Sequence, residues 1–521
     1  MLVDNPYDAA VWNSLLDFYT ESMPWTRRLW RLSAPLEVEE LLEAWKARQA
    51  GVLAESSVKY LAQGLINRVK RDPGFGGMKE RGILVGHLNR DLPPRSHDAY
   101  ALRLLLEEAH EKYLSRWAEE IRSSRPPAEI VSRAVGSYLL DIGYSQVYLH
   151  KWWTYHGKYG PLGEQLVDLV DRAADLARRP TIRYGIMVPL TAAPPLPPDD
   201  DHWYSASRTA NWLARWFPDA PPARQDGGLL LQVDARDRYS AVAQVAAEAK
   251  RLESRFRVGT RQRLEFGKRL YLTGDEGGIP FAQPPRRVQV LSLQRYSAIF
   301  GLTLSHELGA VLELLEPLDA GTPAAAVTGS WAAIETLFVG PGDTANRVVA
   351  ANRMARIVAC SYAAVELASI ANVHLAVADD RLAERLRALP DGVARAREFE
   401  EALRGGVEVA YERVRHDLAL RRMAALVAQP EETMRRVVAQ LEDAFRRLYR
   451  QRNLIVHAGD LTSVALAGTL RTLAPLVGAG VDRVVHASAT TGASPIELAA
   501  TAEVNLARVA SRPIGLVDVL A

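Results

Sequence analysis

The sequence predicts a mostly α-helical protein with a small α+β domain in its middle. Apolar residues recur every three to four positions through most of the chain, strand-like alternation is confined to residues 181–273, and helix-boundary signals bracket the periodic stretches. Because 521 residues are too many for one hydrophobic core, we expect several domains. We place them at residues 1–180, 181–285 and 286–521.

The first domain is predicted to be helical throughout. Helical spacing predicts successive helices at Leu36–Gln49, Ser57–Lys70, His97–Arg122, Ala128–His156 and Leu162–Arg178. Nothing in residues 1–285 resembles a catalytic set. We therefore interpret this part of the chain as a region that senses a signal, positions a substrate or restrains the remainder.

The middle domain is predicted to be a small α+β unit. Strand-like and helical stretches alternate in the order Thr181–Leu190, Ser205–Phe217, Gly228–Val233, Ala241–Arg257 and Leu264–Thr273. Four cations follow the second helix, at Arg261, Arg263, Lys268 and Arg269. They either contact nucleic acid or line a hairpin, and the sequence leaves both readings open.

The third domain is predicted to be a helical bundle. Its helices are expected at Thr303–Leu315, Val327–Leu337, Thr344–Ala378, Arg381–Leu389, Gly392–Leu403, Val407–Ala428, Pro430–His457, Ser463–Val477 and Pro495–Ala510. The most apolar run, residues 357–378, contains Glu366 and His374, so we expect a buried bundle helix and no membrane span. The first residues lack the pattern of a signal peptide, and a soluble cytoplasmic protein is expected.

Charge and cysteine content exclude some functions. The 64 basic and 62 acidic side chains nearly cancel, so net charge does not point to a polyanionic partner. Residues 413–452 differ, with ten arginines against five acidic residues. That surplus is either a solvated helix face or a phosphate-contacting surface. Cys360 is the single cysteine, which excludes an intramolecular disulfide and a multi-cysteine metal site. We expect neither a metal nor a cofactor.

The helix predicted at residues 430–457 carries an arginine in an apolar position. Its apolar stripe consists of Met434, Val437, Leu441, Phe445 and Leu448. The next position of the stripe is Arg452. Burying a guanidinium group without a partner costs several kcal/mol, so a carboxylate or a phosphate is expected beside it.

The same helix ends with Asn453 and His457, which lie on its other side together with Arg446 and Arg450. On an ideal helix, Arg452 and His457 are about 140° apart. They can serve one phosphate if the last turn loosens, or if two protomers pool their residues.

A partner for Arg452 is predicted on an earlier helix. Trp331, Ile334, Glu335 and Phe338 share one helical face, which places Glu335 on a buried stripe. Two opposite charges on apolar faces of one domain are most simply explained as an ion pair. We therefore predict that Glu335 binds Arg452.

These motifs resemble the HEPN superfamily, and its ApeA-like branch in particular. The resemblance rests on W-x-x-I-E-x-L-F from Trp331, on Asn352, Arg353 and Ala355, and on L-Y-R-Q-R-N-L-I-V-H-A-G at residues 448–459. It covers roughly residues 290–470. It implies an all-α bundle that forms homodimers, and a metal-independent endoribonuclease of bacterial toxin or anti-phage defence systems.

The resemblance also implies roles for individual residues. Arg452 and His457 would be catalytic, with Asn453 and Glu335 assisting them. The neighbouring Arg446, Arg450 and Tyr449 are expected to bind RNA.

RNA supplies its own 2′-hydroxyl nucleophile, so the expected products are a 2′,3′-cyclic phosphate and a 5′-hydroxyl end. The expected partners are RNA (tRNA, mRNA or phage RNA), a second copy of the chain, and an antitoxin or a phage-derived trigger. Two alternatives stay open: a non-catalytic HEPN scaffold for dimerisation or RNA binding, and a plain structural role for each residue.

Overall fold

The fold is mostly helical, as predicted. The computed structural model describes residues 5–20, 24–28, 31–159, 165–192, 201–219, 225–281, 286–300, 305–340, 342–343, 347–509 and 515–520. The chain is 71% helical and contains a small antiparallel sheet. This confirms a mostly α protein with a small α+β part.

The helices and strands of the first half are bounded as follows. They are α1 (Pro6–Tyr19), α2 (Trp25–Arg28), α3 (Ala34–Gln49), α4 (Glu55–Val69), α5 (Met78–Leu88), α6 (His97–Ser124), α7 (Ala128–Asp141), α8 (Gln146–Tyr159), α9 (Leu166–Arg178), β1 (Ile182–Ala192), β2 (Trp203–Ser205), α10 (Ala206–Trp216), β3 (Gly227–Ala235), α11 (Arg238–Thr260), β4 (Glu265–Phe266), β5 (Arg269–Leu272) and β6 (Ile279–Pro280).

The second half is helical in all its described elements. They are α12 (Leu291–Arg295), α13 (His306–Ala320), α14 (Pro323–Phe338), α15 (Val348–Cys360), α16 (Tyr362–Val377), α17 (Arg381–Arg387), α18 (Gly392–Arg404), α19 (Val414–Ala428), α20 (Pro430–Ala458), α21 (Leu466–Thr490) and α22 (Pro495–Arg508).

Two predicted helices are each divided into two. The stretch predicted at residues 128–156 forms α7 and α8, separated by Gly143 with φ of 106°. Glycine reaches this backbone conformation without a steric penalty, so the chain turns there. The stretch predicted at residues 344–378 divides at Ser361 into α15 and α16. The predicted starts at Leu162 and Thr303 lie outside the described residues.

Packing divides the chain into two compact units. The first consists of Met1–Tyr138, Trp153–Ala174 and Arg286–Ala521, and the second of Leu139–Trp152 and Asp175–Pro285. The predicted first and third domains therefore share most of one unit. Buried ion pairs within that unit explain the difference, because Glu366 of α16 accepts hydrogen bonds from Arg27 and Arg422.

The second unit is built on an antiparallel sheet with the strand order β2-β3-β1-β5-β6, in which β4 also pairs with β1. Helix α11 packs on one face, where Val245 joins Ile186 in a core. Residues of α10 pack on the other face around Met187. Gly228 permits the approach of α10, because a Cβ atom there would lie 2.8 Å from the hydroxyl oxygen of Thr209.

The first unit has a large core around the C-terminal helices, and α20 crosses this core. The five stripe residues predicted on α20, from Met434 to Leu448, are all buried. Within the described residues, one stretch, Val348–Val377, is long and apolar enough to cross a membrane. Its most apolar window is 72% buried in the bundle, as is usual for a core helix of a soluble protein.

The N-terminal helices of the first unit form a second core. It is built from apolar side chains of α3 to α6 and includes one residue of α20, Leu454. Leu454 lies one position after Asn453. The helix that carries the predicted site is therefore packed against the C-terminal bundle and against the N-terminal helices.

Candidate functional site

The predicted site residues lie in the last two turns of α20. As predicted, this helix begins at Pro430 with Glu431 and Glu432 in its first turn, and its cap is Gly459. Gly459 has φ of 64°, and its N–H donates to the carbonyl oxygen of Ile455. The helix keeps its form up to Ala458, so the last turn does not loosen.

Arg452, Asn453 and His457 come together within one chain. The Nη1 atom of Arg452 lies 3.0 Å from Oδ1 of Asn453 and 3.0 Å from Nε2 of His457. Asn453 is buried, Arg452 is half-buried and His457 is exposed. The arginine side chain is long enough to reach His457, although the two residues are about 140° apart around the helix.

This contact assigns hydrogen-bonding roles to Arg452 and His457. A guanidinium group has no acceptor, so in this contact Nη1 donates and Nε2 of His457 accepts. An accepting Nε2 is the form in which a histidine can take a proton from a hydroxyl group.

One edge of the Arg452 guanidinium group is left for a ligand. The two hydrogens of Nη1 are used by Asn453 and His457. Within the part of the chain that the structure describes, Nε and Nη2 of Arg452 make no hydrogen bond. Their parallel N–H groups form the fork that binds two oxygens of a phosphate or a carboxylate.

The predicted ion pair between Glu335 and Arg452 is not formed. Both residues are described, and Glu335 instead accepts a hydrogen bond from Arg347 over 3.2 Å. Glu335 is only partly buried, because it lies at the edge of the apolar face of α14. The carboxylate expected beside Arg452 is replaced by Asn453 and His457.

Arg450, predicted to bind RNA, is buried and paired with a carboxylate. Its side chain is 3% exposed, and Nε and Nη2 lie 3.0 and 2.8 Å from Oε1 of Glu40. Its guanidinium group is thereby shielded from a nucleic acid. The structure contradicts this assignment because α3 covers the α20 face that carries Arg450.

Arg446 and Tyr449 are also held within the protein. Arg446 donates to Oδ1 of Asn352 over 2.9 Å and lies 3.9 Å from the centre of the Tyr60 ring. Tyr449 is partly buried, and its ring centre lies 4.9 Å from that of Trp331. Both side chains join α20 to neighbouring helices.

The carboxylates that meet the arginines of α20 come from α3, which sequence reasoning missed. Arg447 donates to Glu40 over 2.9 Å and to Glu37 over 2.8 Å, and all three side chains are buried. Burial opposes ionisation of Glu40, but the guanidinium groups of Arg447 and Arg450 outweigh it and lower its pKa to about 2. Burial raises the pKa of Glu37, although Arg68 and Arg447 act against this.

A signal for these carboxylates is present in the sequence. Glu37 and Glu40 precede Leu41 and Ala44 at helical spacing, so they belong to one apolar stripe of α3. Like Glu335, they are carboxylates on an apolar stripe, and such carboxylates are expected to pair with a buried arginine.

A second polar link joins α3 to the site. Nε2 of Gln451 donates to Oγ of Ser463 over 2.9 Å, and this hydroxyl donates to Oε2 of Glu43 over 2.5 Å. Burial raises the pKa of Glu43, and the hydrogen bond from Ser463 acts against the rise. Gln451 is therefore held from α3 at the position directly before Arg452.

Apolar side chains are exposed around His457. Val456 is 49% exposed, Leu461 is 44% exposed and Val464 is 40% exposed. All three lie within seven residues of His457 in the sequence. Exposed apolar side chains therefore lie close to His457 along the chain.

No metal centre is visible among the described residues. No group of three or more histidine, cysteine, aspartate or glutamate side chains is placed there to hold an ion. Cys360 is buried, and burial raises the pKa of its thiol well above the usual value. The chemistry open to the cluster on α20 is that of an imidazole, an amide and a guanidinium group.

Comparison with known proteins gives no relative: no family model matches the chain, and neither a curated protein nor a solved structure is similar to it.

Proposed function

We propose that the protein is a metal-independent endoribonuclease whose active site is formed by Arg452, Asn453 and His457. The observation that carries the proposal is the pair of 3.0 Å contacts from one guanidinium nitrogen to Asn453 and His457. A guanidinium group and an imidazole thus lie side by side at an exposed helix end, and this supports roles in phosphate binding and proton transfer. The HEPN-like motif at residues 448–459 supports the same assignment.

RNA binding begins at the free edge of Arg452. Nε and Nη2 bind two oxygens of the scissile phosphate, and this interaction strengthens as negative charge builds on the phosphorane. Asn453 accepts from Nη1 and keeps the guanidinium group oriented. It is a positioning residue, because it acts through Arg452.

His457 transfers the proton. When the phosphate draws the guanidinium group towards it, Nε2 of His457 is released and accepts the proton of the 2′-hydroxyl. The 2′-oxygen then forms a bond to phosphorus, and the bond from phosphorus to the 5′-oxygen breaks. The products are a 2′,3′-cyclic phosphate and, once the leaving oxygen gains a proton, a 5′-hydroxyl end.

The leaving oxygen needs an acid. The cluster on α20 contains one imidazole in each chain, so this role is unfilled within a single copy. We propose that a second copy of the chain supplies it, through a homodimer in which the two α20 ends meet. The exposed Val456, Leu461 and Val464 support this, because exposed apolar side chains close to the site in sequence are available to an interface.

The proposed biological role is that of a bacterial toxin or an anti-phage defence nuclease, acting on cytoplasmic RNA. A free ribonuclease harms its own host, so a restraint is required. The contacts of α3 with Arg447, Arg450 and Ser463 make the N-terminal helices the place where an antitoxin or a phage-derived trigger would act.

A non-catalytic HEPN scaffold is the second candidate. The observation that favours it is that Arg452 and His457 satisfy each other within one chain. In that case the exposed apolar residues would serve dimerisation alone, and the cluster would cap the end of α20.

Cleavage of RNA in EDTA separates the two candidates. We expect wild type to produce 2′,3′-cyclic phosphate ends, and His457→Ala to lose roughly 10² to 10⁴-fold in rate. His97→Ala is the matched control, since the His97 side chain is 90% exposed and lies outside the cluster. Equal cleavage by wild type and His457→Ala rules out the proposed site. Cleavage that stops in EDTA rules out the metal-independent mechanism.

A further inference from the structure

Helix α11 of the second unit extends beyond the sheet that it packs on. Its buried residues, Ala241, Val245, Ala246 and Ala249, all lie in its first half. From Lys250 to Thr260 every residue is described and none is buried. These last eleven residues, about 16 Å of helix, are covered by protein only in part, where Leu252 packs against the core of the sheet.

This free half begins the most basic stretch of the unit. Residues 250–269 contain eight lysines and arginines and two glutamates, Glu253 and Glu265. That is a net charge of six positive within twenty residues, in a chain whose total is two positive. The rest of the chain is therefore net acidic, and the basic charge is concentrated here.

Most of these cations have no carboxylate partner. Lys250 and Arg251 form ion pairs with Glu253 and Glu248. Five further cations of this stretch form no ion pair among the described residues. They are Arg255, Arg257, Arg261, Arg263 and Lys268, and all five are exposed.

The chain returns these cations to one end of the unit. Arg261 ends the helix with φ of 60°, which turns the chain back towards the sheet. Strand β4 then pairs with the end of β1, where Phe266 lies opposite Leu190. Lys268 follows in the turn before β5 and is exposed. We name residues 250–269 the basic arm.

Stabilisation of the helix alone does not account for the basic arm. Cations near a helix C-terminus interact favourably with its dipole, but this effect falls off within the last turn. Arg255 lies more than one turn from the end, and Arg263 and Lys268 lie beyond the helix. Unpaired like charges at this density repel each other, and an anionic partner would relieve the repulsion.

We propose that the basic arm binds the sugar-phosphate backbone of RNA, with Arg255, Arg257, Arg261, Arg263 and Lys268 contacting phosphates. Four of the five are arginines, whose planar fork matches two phosphate oxygens. The choice of RNA rests on the proposed function, but the phosphate-binding site does not depend on cleavage. The arm would hold substrate through residues other than those proposed to cut it.

The choice of nucleic acid over a membrane follows from the apolar residues of the arm. A helix that lies on a membrane buries a continuous apolar face in the lipid. In the free half of α11, Leu252 and Phe256 are only partly exposed, and Val258 is the one apolar residue that is largely exposed, at 86%. One valine does not form such a face.

The test measures binding of a fluorescein-labelled oligouridylate by fluorescence anisotropy, in a His457→Ala background that prevents cleavage. Five phosphate contacts on a single strand predict a slope of log K against log salt of about −3.5, or a roughly 100-fold loss of affinity between about 50 and 200 mM salt. The variant carries Arg255→Gln, Arg257→Gln, Arg263→Gln and Lys268→Gln. It should bind at least tenfold more weakly, with a slope about 3 smaller.

The control removes the same charge elsewhere. Arg71→Gln, Lys79→Gln, Arg381→Gln and Arg387→Gln together neutralise three arginines and one lysine that are exposed in the first unit. Weaker binding by the basic-arm variant alone supports the proposal. An equal loss in both variants, or no loss in either, overturns it.

Two further measurements test the proposal independently of the anisotropy experiment. Photo-crosslinking of wild type to an RNA that contains 4-thiouridine needs no variant, and crosslinks outside residues 250–269 alone would overturn the proposal. Sedimentation with vesicles of equal phosphatidylserine and phosphatidylcholine addresses a membrane. Binding to vesicles without binding to RNA would also overturn it. Retained RNA binding without any cleavage by wild type would contradict the proposed function and leave the basic arm supported.

Discussion

Arg450 and Arg452 are two residues apart on α20, and their side chains have opposite surroundings. Arg450 is 3% exposed and is bound by the carboxylate of Glu40. Arg452 is half-buried, is bound by an amide and an imidazole, and keeps one edge of its guanidinium group free. The first arginine holds two parts of the protein together, whereas the second has the geometry of a ligand-binding group.

The comparison shows that an arginine-rich helix is not by itself a phosphate-binding surface. Of the ten arginines between residues 413 and 452, those that face α3 and α16 are neutralised by buried glutamates. What separates Arg447 and Arg450 from Arg452 is α3, which covers their side of α20. At the end of α20 that cover stops, and the functional groups reach the surface.

The largest effect on stability is expected when Arg450→Gln is compared with Arg452→Gln. Arg450→Gln leaves Glu40 with one cation fewer in a buried site and should cost about 3–5 kcal/mol of stability. Arg452→Gln removes two hydrogen bonds at a half-buried site and should cost about 1 kcal/mol. Hydrogen exchange of peptides from α20 measures both. Equal destabilisation by the two variants would contradict the difference in their surroundings.

Acid should selectively weaken the ion pair between Arg450 and Glu40. Because the folded-state pKa of Glu40 is lowered to about 2, its contribution is present above the ordinary glutamate pKa and is lost as pH falls from about 4 towards 2. The shift corresponds to about 3 kcal/mol. The protection factors of α20 amides, which are corrected for the intrinsic dependence of exchange on pH, should therefore fall in this range. Glu40→Gln should show a flatter dependence on pH, whereas Glu39→Gln, partly exposed and bound to His110, should behave as wild type.

The smallest effect is expected at Glu335, the residue first predicted to hold Arg452. Its pair with Arg347 is partly exposed, with 20% and 55% of the two side chains accessible, so Glu335→Gln should cost at most about 1 kcal/mol. Cleavage should be unchanged, because Glu335 does not bind Arg452 in the structure. A loss of cleavage as large as that of His457→Ala would restore the predicted pairing.

Local features of α20 could be predicted from the sequence because they depend on near neighbours. The start at Pro430, the acidic first turn, the apolar stripe and the stop at Gly459 each follow from residue type and spacing, and each is confirmed. The meeting of Arg452 with His457 within one chain was not expected. Ideal helix angles describe the backbone, and a long flexible side chain can span them.

Pairing between distant helices could not be predicted in the same way. Arg447 and Glu37 are 410 residues apart, and no periodicity links them. Buried arginines of α20 do pair with buried carboxylates, as expected. The arginines are Arg447 and Arg450, and their carboxylates lie in the predicted first domain and not on the helix of Glu335.

The pairing of α3 with α20 has a consequence for the order in which the chain is made. Glu37 and Glu40 leave the ribosome first, and their cations follow after about 400 further residues, or roughly 20 to 80 seconds at ordinary rates of synthesis. Until then Glu40 lacks the two arginines that pair with it, whereas Glu37 can already pair with Arg68 of α4, and the helix bearing His457 does not exist. A chain released before residue 457 therefore lacks the imidazole of the proposed active site.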